Sequence, residues 1–321
     1  MQALGATLML AALALPAGAQ AQTYPSRPVR MVVPFSPGGA ADVPARILAQ
    51  KLSDVLGQQF VVDNRPGAGS TIGADVVAKA TPDGYTLLCI TNTHFVSASL
   101  YRKLPYHPLK DFAPISESGH APNVLVVNPS LPAKSVAELI ALAKASPGKI
   151  DYASSGNGSS QHLFGALFMS MAHIEMTHVP YKGSGPATTD LIAGQVKVSF
   201  PGIAIVLPHV KSGRLRALGV TSAKRATALP DVPSIAEAGL KGYDATLWLG
   251  VAAPQGTPRP VIGKLHEAIV KALKAPDLHQ AYLNSGTEVS YSETPEQFGA
   301  FMQSELVKWA KVVKESGATV N

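Results

Sequence analysis

An apolar run that stops at a glycine-rich loop, with a helical pattern directly after it, constrains this chain more than any other feature of its sequence. Arg30-Met31-Val32-Val33 predicts a buried strand, residues 34–41 predict a loop, and residues 43–56 have the apolar spacing of a helix with one buried face. The adjacent Gly38 and Gly39 let the backbone pass close to a ligand, and the first amides of a helix lack an intrahelical acceptor. Such a loop either binds a carboxylate or phosphate or is a tight turn that binds nothing.

The same order of strand, loop and helix recurs in residues 150–172 and 176–193, and residues 60–80 hold a further strand, Gly-rich loop and helix. Each loop supplies amides and none supplies a base, so the repetition favours anion capture without turnover. Alternating strands and helices predict an α/β fold, in which ligands bind beyond the carboxyl ends of the strands. Thr91 and Asn92 follow another predicted strand and fall at such an end.

Two apolar strands, in residues 122–129 and 245–251, are predicted to cross between two lobes. Two crossings imply a discontinuous first lobe. We therefore predict that residues 22–123 and 246–321 form lobe 1 and that residues 124–245 form lobe 2. Roughly 300 residues would remain after removal of a signal peptide. A chain of that length usually forms more than one hydrophobic core, so two lobes are expected.

The composition indicates an exported protein without disulfide bonds. Residues 1–21 are predicted to be a secretory signal peptide, with a short apolar core and with Ala19 and Ala21 at a fitting cleavage site. The only cysteine, Cys89, has no partner in the sequence. The formal net charge is +6, but the Lys and Arg residues are scattered singly, so no nucleic-acid partner is expected. We expect a periplasmic monomer.

No catalytic motif in the sequence is convincing. The patterns of a nucleophile elbow, a zinc-protease helix and a nucleotide-binding P-loop are absent. Gly156-Asn157-Gly158 begins like a dinucleotide fingerprint but lacks its third glycine, and Ser146-Pro147-Gly148-Lys149 matches S-x-x-K in a turn that ends a helix. The histidines lack metal-ligand spacing, so neither a metal nor another cofactor is expected. His162 either donates to a ligand or lies exposed at a helix start.

Eight short motifs cover the mature chain from end to end. They are Tyr24-Pro25-Ser26-Arg27-Pro28, Val33-Pro34-Phe35-Ser36-Pro37-Gly38-Gly39-Ala40-Ala41-Asp42, Asn64-Arg65-Pro66-Gly67-Ala68-Gly69, Pro82-Asp83-Gly84-Tyr85-Thr86-Leu87, Asn128-Pro129-Ser130-Leu131-Pro132, Tyr152-Ala153-Ser154-Ser155-Gly156-Asn157-Gly158, His178-Val179-Pro180-Tyr181-Lys182-Gly183 and Leu229-Pro230-Asp231-Val232-Pro233. In this order they strongly resemble the Bug family, the periplasmic solute-binding receptors of tripartite tricarboxylate transporters.

The resemblance implies a two-lobed, type II periplasmic binding-protein fold, with a mixed sheet in each lobe, that closes on its ligand like a Venus flytrap. It also implies two membrane partners, the large and the small transporter subunit, and a ligand carboxylate held by backbone amides and ordered water. Carried over, the binding loops are residues 36–41 of lobe 1 and residues 156–160 and 181–184 of lobe 2. The candidate ligand-binding residues are Phe35, Ser36, Pro37, Gly38, Gly39, Ala40, Ala41, Asp42, Thr91, Asn92, Ser155, Gly156, Asn157, Ser159, Ser160, His162, Tyr181, Lys182, Gly183, Ser184, Phe200, Pro201 and Gly202.

Two departures from the family pattern lie near the expected ligand. Ala40-Ala41 stands where the family usually has Ser-Thr, and Phe200-Pro201-Gly202 stands where many members have Phe-Asp. Without that Asp, only Asp42 and Asp190 remain to pair with a ligand ammonium, and each also suits the first turn of a helix. We therefore predict that amino acids bind poorly and that the ligand is a small mono- or dicarboxylate.

The function predicted from the sequence is a periplasmic receptor that captures a small organic carboxylate and delivers it to a tripartite tricarboxylate transporter. An apolar or aromatic ligand body would lie against Phe35, Tyr181 or Phe200, although each of these is also a candidate for the core. The first alternative is an extracytoplasmic sensor that binds a similar acid and signals to a receptor kinase, and the second is a hydrolase.

Overall fold

A computed structural model describes residues 24–101 and 103–316, so the predicted signal peptide lies outside the described residues. The strands are β1 (Val29–Val33), β2 (Phe60–Asn64), β3 (Thr86–Thr91), β4 (Phe112–Ala121), β5 (Val124–Val127), β6 (Asp151–Ser154), β7 (Thr177–Pro180), β8 (Val198–Ser199), β9 (Arg216–Val220) and β10 (Leu247–Pro254). The helices are α1 (Asp42–Leu56), α2 (Thr71–Ala78), α3 (Asn92–Leu100), α4 (Val136–Ala145), α5 (Ser160–Ala172), α6 (Ser184–Ala193), α7 (Ile203–Lys211), α8 (Arg259–Leu273), α9 (Pro276–Asn284) and α10 (Pro295–Ser316).

The strands form two five-stranded sheets, in the orders β2-β1-β3-β10-β4 and β7-β6-β8-β5-β9. In the first sheet β10 runs antiparallel to β3 and β4, and in the second β5 runs antiparallel to β8 and β9. The remaining pairs are parallel. Each sheet is therefore mixed, with its reversed strand in the fourth place, and the prediction of an α/β fold with two mixed sheets is confirmed.

Parallel pairing brings the carboxyl ends of neighbouring strands to one edge of each sheet. The strand β1 is an almost continuous apolar run, in which Val29, Met31, Val32 and Val33 are fully buried, because both faces of its sheet are covered. The loops after β1, β6, β7 and β8 lead directly into α1, α5, α6 and α7. Four helices therefore begin at the edges of the two sheets.

Two segments of chain connect the sheets, one between β4 and β5 and the other between β9 and β10. They lie side by side. The amide of Thr221 donates to the carbonyl oxygen of Asn123 at 2.9 Å, and the amide of Asn123 donates to the Thr221 hydroxyl at 3.1 Å. The amide of Ala245 donates to the Thr221 carbonyl at 2.9 Å. These bonds make the connecting segments the natural axis for the predicted closure of the lobes.

The long helix α10 forms a further link between the sheets. Its Glu305 carboxylate accepts hydrogen bonds from the indole N–H groups of Trp248 on β10 (2.6 Å) and of Trp309 (2.7 Å). The Trp309 ring lies 5.9 Å from the ring of Phe164 on α5, which belongs to the second sheet's side of the molecule. The sequence analysis assigned residues 246–321, which include α10, to lobe 1, and in the structure the carboxyl-terminal half of α10 also packs on α5.

The sequence did not reveal every element of the structure. Strand β4 and helices α3 and α9 were not predicted, and residues 231–239, where the sequence predicts a short capped helix, form turns. In that segment Ser234 and Glu237 make a reciprocal capping pair, in which each amide donates to the other side chain. The turn does not continue as a helix, because Gly239 has a φ of +116° and its amide donates to the carbonyl of Ala236.

Replacing Glu305 by alanine is expected to lower the free energy of unfolding by about 3–5 kcal/mol, because two buried indole N–H groups would lose their acceptor. Chemical denaturation measures this change. The matched control is Glu296→Ala, since Glu296 is exposed in the first turn of the same helix, and a much smaller loss is expected there. Equal losses in the two variants would contradict the proposed anchoring of α10.

Candidate ligand-binding site

A cleft of about 420 Å³ lies between loops that belong to the two sheets. From the side of the first sheet it is lined by the loop after β1 and by residues 285–287, which follow α9. From the side of the second sheet it is lined by the loops after β6, β7 and β8. The cleft therefore lies where sequence analysis placed the ligand, at the carboxyl ends of strands.

Several helices begin at this cleft. The residues that precede α1, α6 and α7 are Ala41, Gly183 and Gly202, and within the described chain none of them accepts a side-chain capping bond. The start of α5 differs, because the Ser159 hydroxyl accepts from the amide of His162 at 3.3 Å. At α1 the amides of Asp42 and Val43 donate to the Gly39 carbonyl and residue 44 is proline, so this helix start offers an anion its dipole and no free helix amide. The converging positive ends of the helix dipoles favour an anion, so the arrangement suits a carboxylate.

Asp42 holds the loop after β1 in its shape. Its carboxylate accepts from the amide of Gly38 (2.8 Å), the side-chain amide of Asn64 (2.7 Å) and the guanidinium of Arg46 (2.9 Å). The Asn64 amide also donates to the carbonyl of Phe35 at 2.9 Å. Asp42 is 1% exposed, so this carboxylate positions the glycine loop and does not face the ligand.

The two glycines of this loop have different tasks. Gly38 has a φ of +78°, a backbone conformation that side chains other than glycine rarely adopt. A Cβ added at Gly39 would meet only the Ser36 carbonyl oxygen, at 3.5 Å, and Gly39 lines the cleft. Gly38 therefore permits the turn, and Gly39 keeps open the space in front of the start of α1.

The predicted site residues fall into two groups. Those that line the cleft are Gly38, Gly39, Ala40, Ser155, Ser160, Ser184 and Gly202. The other predicted residues lie in the same loops or behind them, and are Phe35, Ser36, Pro37, Ala41, Asp42, Thr91, Asn92, Gly156, Asn157, Ser159, His162, Tyr181, Lys182, Gly183, Phe200 and Pro201.

Some predicted ligand contacts have a structural task instead. Phe200 is fully buried and packs on Tyr152 and Phe168. The Tyr181 hydroxyl donates to the Asp190 carboxylate at 2.7 Å, so neither group is free for a ligand. Neither ring lines the cleft, because both pack against apolar side chains around the second sheet.

The residues after β3 have similar tasks. The Thr91 hydroxyl accepts from the amide of Thr93 at 3.2 Å and caps α3. Asn92 is 2% exposed, and its amide donates to the carbonyl of Thr246 at 3.4 Å. His162, predicted to be either a ligand donor or exposed, is 6% exposed, and its Nδ1 accepts from the amide of Gly158 at 3.1 Å.

Sequence analysis missed a second set of cleft residues, most of them apolar. They are Val43, Ala121, Pro122, Asn123, Gln161, Ile203, Ala204, Ile205, Leu247, Ser285, Gly286 and Thr287. Gly202 was predicted as a site residue and Ile203 and Ile205 follow it closely in the chain, so these two could have been found. Residues 285–287 follow the unpredicted α9, and no local pattern marks them.

Residues 24–101 and 103–316 contain no group of three or more His, Cys, Asp or Glu side chains arranged to hold a metal ion. A serine and a histidine do meet beside the cleft, where the Ser154 hydroxyl lies 2.6 Å from Nε2 of His178. Ser154 is fully buried, so this pair does not present a nucleophile to the cleft.

The family of the chain is decided by a sequence comparison. The family model described as "Tripartite tricarboxylate transporter family receptor" matches residues 44–318. The chain belongs to this receptor family. Protein BugT of Bordetella pertussis (strain Tohama I) is 42% identical over 313 residues, which cover 97% of this chain and 96% of BugT. The resemblance to the Bug family is therefore confirmed, and the family is one of solute-binding receptors that serve tripartite transporters.

Solved structures of similar proteins have the same fold as this receptor. Rpa4515 of R. palustris, determined with adipate, is 38% identical with a TM-score of 0.79, over 92% of this chain and 99% of that one. MatC of Rhodopseudomonas palustris, with bound malate, is 33% identical with a TM-score of 0.75, over 90% of this chain and 100% of that one. The two-lobed type II periplasmic binding-protein fold is thus confirmed. No helix among the described residues is long and apolar enough to cross a membrane.

Proposed function

We propose that this receptor captures a small organic carboxylate between its two lobes in the periplasm and delivers it to the large and small membrane subunits of a tripartite tricarboxylate transporter. The observation that carries the proposal is the cleft at which α1, α6 and α7 begin without side-chain caps in the described chain. Family membership and the adipate and malate bound to similar proteins support it.

The cleft is uncharged. Among the described residues that line it there is no Lys, Arg, His, Asp or Glu. A carboxylate would therefore be held by amide and hydroxyl dipoles, which require no counter-ion in the protein. A ligand ammonium would find no carboxylate, because Asp42 is engaged by Arg46 and Asn64, and Asp190 accepts from Tyr181. Burying such an unpaired charge is costly.

The apolar part of the ligand would lie against aliphatic side chains. Val43, Ile203, Ile205 and Leu247 line the cleft, and Ile205 keeps 43% of its surface exposed there. The aromatic residues predicted for this role pack elsewhere. We therefore propose a carboxylate with a short aliphatic body, for which a cleft of about 420 Å³ is an ordinary size.

Binding also explains the site better than hydrolysis does. The residues that line the cleft and carry hydroxyls are Ser155, Ser160, Ser184, Ser285 and Thr287, and they lie among amides and apolar groups. Ser154, whose hydroxyl contacts a histidine, is buried behind them. An anion site without an accessible nucleophile and base supports capture and release of an unchanged acid, as a receptor requires.

The test is a panel of acids paired with their α-amino analogues: succinate with aspartate, glutarate with glutamate, and adipate with 2-aminoadipate. Thermal shift and calorimetry should show tighter binding of the simple acid in each pair. An acid at about a hundred times its dissociation constant should add roughly 2.7 kcal/mol to the free energy of unfolding. Consistently tighter binding of the amino compounds would contradict the proposed ligand class. Receptor-dependent uptake of the bound acid into vesicles that hold the two membrane subunits would test delivery.

A further inference from the structure

Three stacked rings lie beneath the loop after β6. The imidazoles of His162 on α5 and His178 on β7 are parallel within 3°, with centroids 4.0 Å apart, and the ring of Tyr152 on β6 stacks on His178 at 4.9 Å. The loop above them supplies Ser155 and Ser160 to the cleft. The stack therefore forms the floor on which part of the ligand site rests.

The amides of two glycines in this loop donate hydrogen bonds to side chains in or beside the stack of rings. The amide of Gly158 donates to Nδ1 of His162 at 3.1 Å, and the amide of Gly156 donates to the Ser154 hydroxyl at 3.1 Å. That hydroxyl contacts Nε2 of His178 at 2.6 Å. Gly156 and Gly158 have φ values of +130° and +75°, so the loop turns its amides inward at these points. Ser159 and Ser160, which follow, begin α5.

We infer that His162 is a positioning residue, whose Nδ1 acceptor fixes the Gly158 amide and so directs the start of α5 toward the ligand carboxylate. This inference rests on the proposed capture of a carboxylate. His162 itself does not touch the ligand. Its ring is held between the start of its own helix and the ring of His178, so the ring cannot turn and its Nδ1 points only toward the Gly158 amide. Loss of that acceptor leaves an inward-facing amide without a partner, and the loop must rearrange.

The protonation states of the pair agree with this task. Burial, and secondarily the neighbouring His178, lower the pKa of His162 from 6.5 to about 4, and burial lowers the pKa of His178 from 6.5 to about 4. Both imidazoles are therefore neutral at neutral pH, as an accepting Nδ1 requires. Since Nδ1 accepts, the proton of His162 resides on Nε2.

The test compares two substitutions at this position. His162→Asn places an amide oxygen near the position of Nδ1, whereas His162→Phe keeps an aromatic ring and removes the acceptor. With succinate, glutarate and adipate as calorimetric probes at pH 7.5, the Phe variant should bind about tenfold more weakly than the wild type. The Asn variant should bind these acids with nearly the affinity of the wild type. His279→Phe, at an exposed histidine on α9, is the matched control and should leave binding unchanged.

Wild-type affinity in both variants, or an equal loss in both, would overturn the inference, because the acceptor would then not matter. If the Phe variant does not fold, nitrogen NMR of the wild type decides, since a proton on Nδ1 of His162 would overturn the inference and an unprotonated Nδ1 supports it. A wild-type protein that binds none of these probes, nor any other acid, would instead contradict the proposed function. The two failures are therefore distinguishable.

Discussion

Replacing Gly39 by valine is expected to weaken carboxylate binding by about a hundredfold or more, while the free protein melts at nearly its original temperature. The backbone at Gly39 does not require glycine, and a Cβ there meets only the Ser36 carbonyl oxygen, at the ordinary contact distance of 3.5 Å. The remaining direction for the valine methyl groups is the cleft, in front of the uncapped start of α1. They would occupy the approach of the ligand carboxylate.

Calorimetry with the acid found in the panel measures this effect, and a thermal melt without ligand checks the fold. Gly263→Val is the matched control, because Gly263 lies in α8 and an added Cβ there meets nothing within 4 Å. The control should leave helix stability unchanged or slightly raised, because glycine is the poorer helix former, and should not change the affinity. Unchanged affinity in Gly39→Val would show that the ligand does not bind in front of the start of α1.

Replacing Asp42 by alanine is expected to lower both stability and affinity. The carboxylate is the common acceptor for the Gly38 amide, the Asn64 side chain and the Arg46 guanidinium. Its removal takes the shared acceptor from three donors that are exposed or half-buried and can turn to water, at a cost of about 1–2 kcal/mol in the free energy of unfolding. The glycine loop also loses its anchor, so carboxylate binding should weaken by about tenfold or more. Denaturant titration and calorimetry measure the two effects.

Asp54→Ala is the control for this substitution, because Asp54 is exposed on the same helix, and little change is expected there. The losses of stability and affinity in Asp42→Asn should be smaller than in Asp42→Ala and larger than in Asp54→Ala, since asparagine keeps one acceptor oxygen and loses the charge. An Asp42→Ala variant with wild-type affinity would show that the loop keeps its shape without the anchor.

The effect of pH on this anchor follows from the charge of Asp42. Burial alone would raise the pKa of the carboxyl, but hydrogen bonds from Arg46, Asn64 and Gly38 outweigh it and hold the pKa below the ordinary value of 3.8. A depressed folded-state pKa means that the stabilisation is fully present above about pH 4 and is lost as the pH falls through the folded value. The difference in stability between wild type and Asp42→Ala should therefore shrink only in strong acid.

Much of the candidate site follows from short stretches of sequence. Gly38, Gly39, Ser160 and Ser184 were found because strand, glycine-rich loop and helix start lie within about ten residues of one another, and these loops do line the cleft. The aromatic residues expected in the apolar wall, Phe35, Tyr181 and Phe200, are not among the residues that line the cleft. An aromatic residue at a strand end points either into the core or into the cleft, and the alternation of the strand alone does not decide which.

The sequence by itself determined the α/β class, the positions of most strands and helices, the glycine-rich loops that line the cleft and the family. These rest on local periodicity, on the backbone freedom of glycine and on motifs of adjacent residues. Only the tertiary structure decided that Asp42 anchors a loop, that His162 lies beneath one, that residues 285–287 reach the cleft and that α10 joins both sides of the molecule. The physical reason is that such contacts join residues far apart in the chain, so they depend on the order of strands in each sheet and on how the sheets pack, and no short sequence period records either.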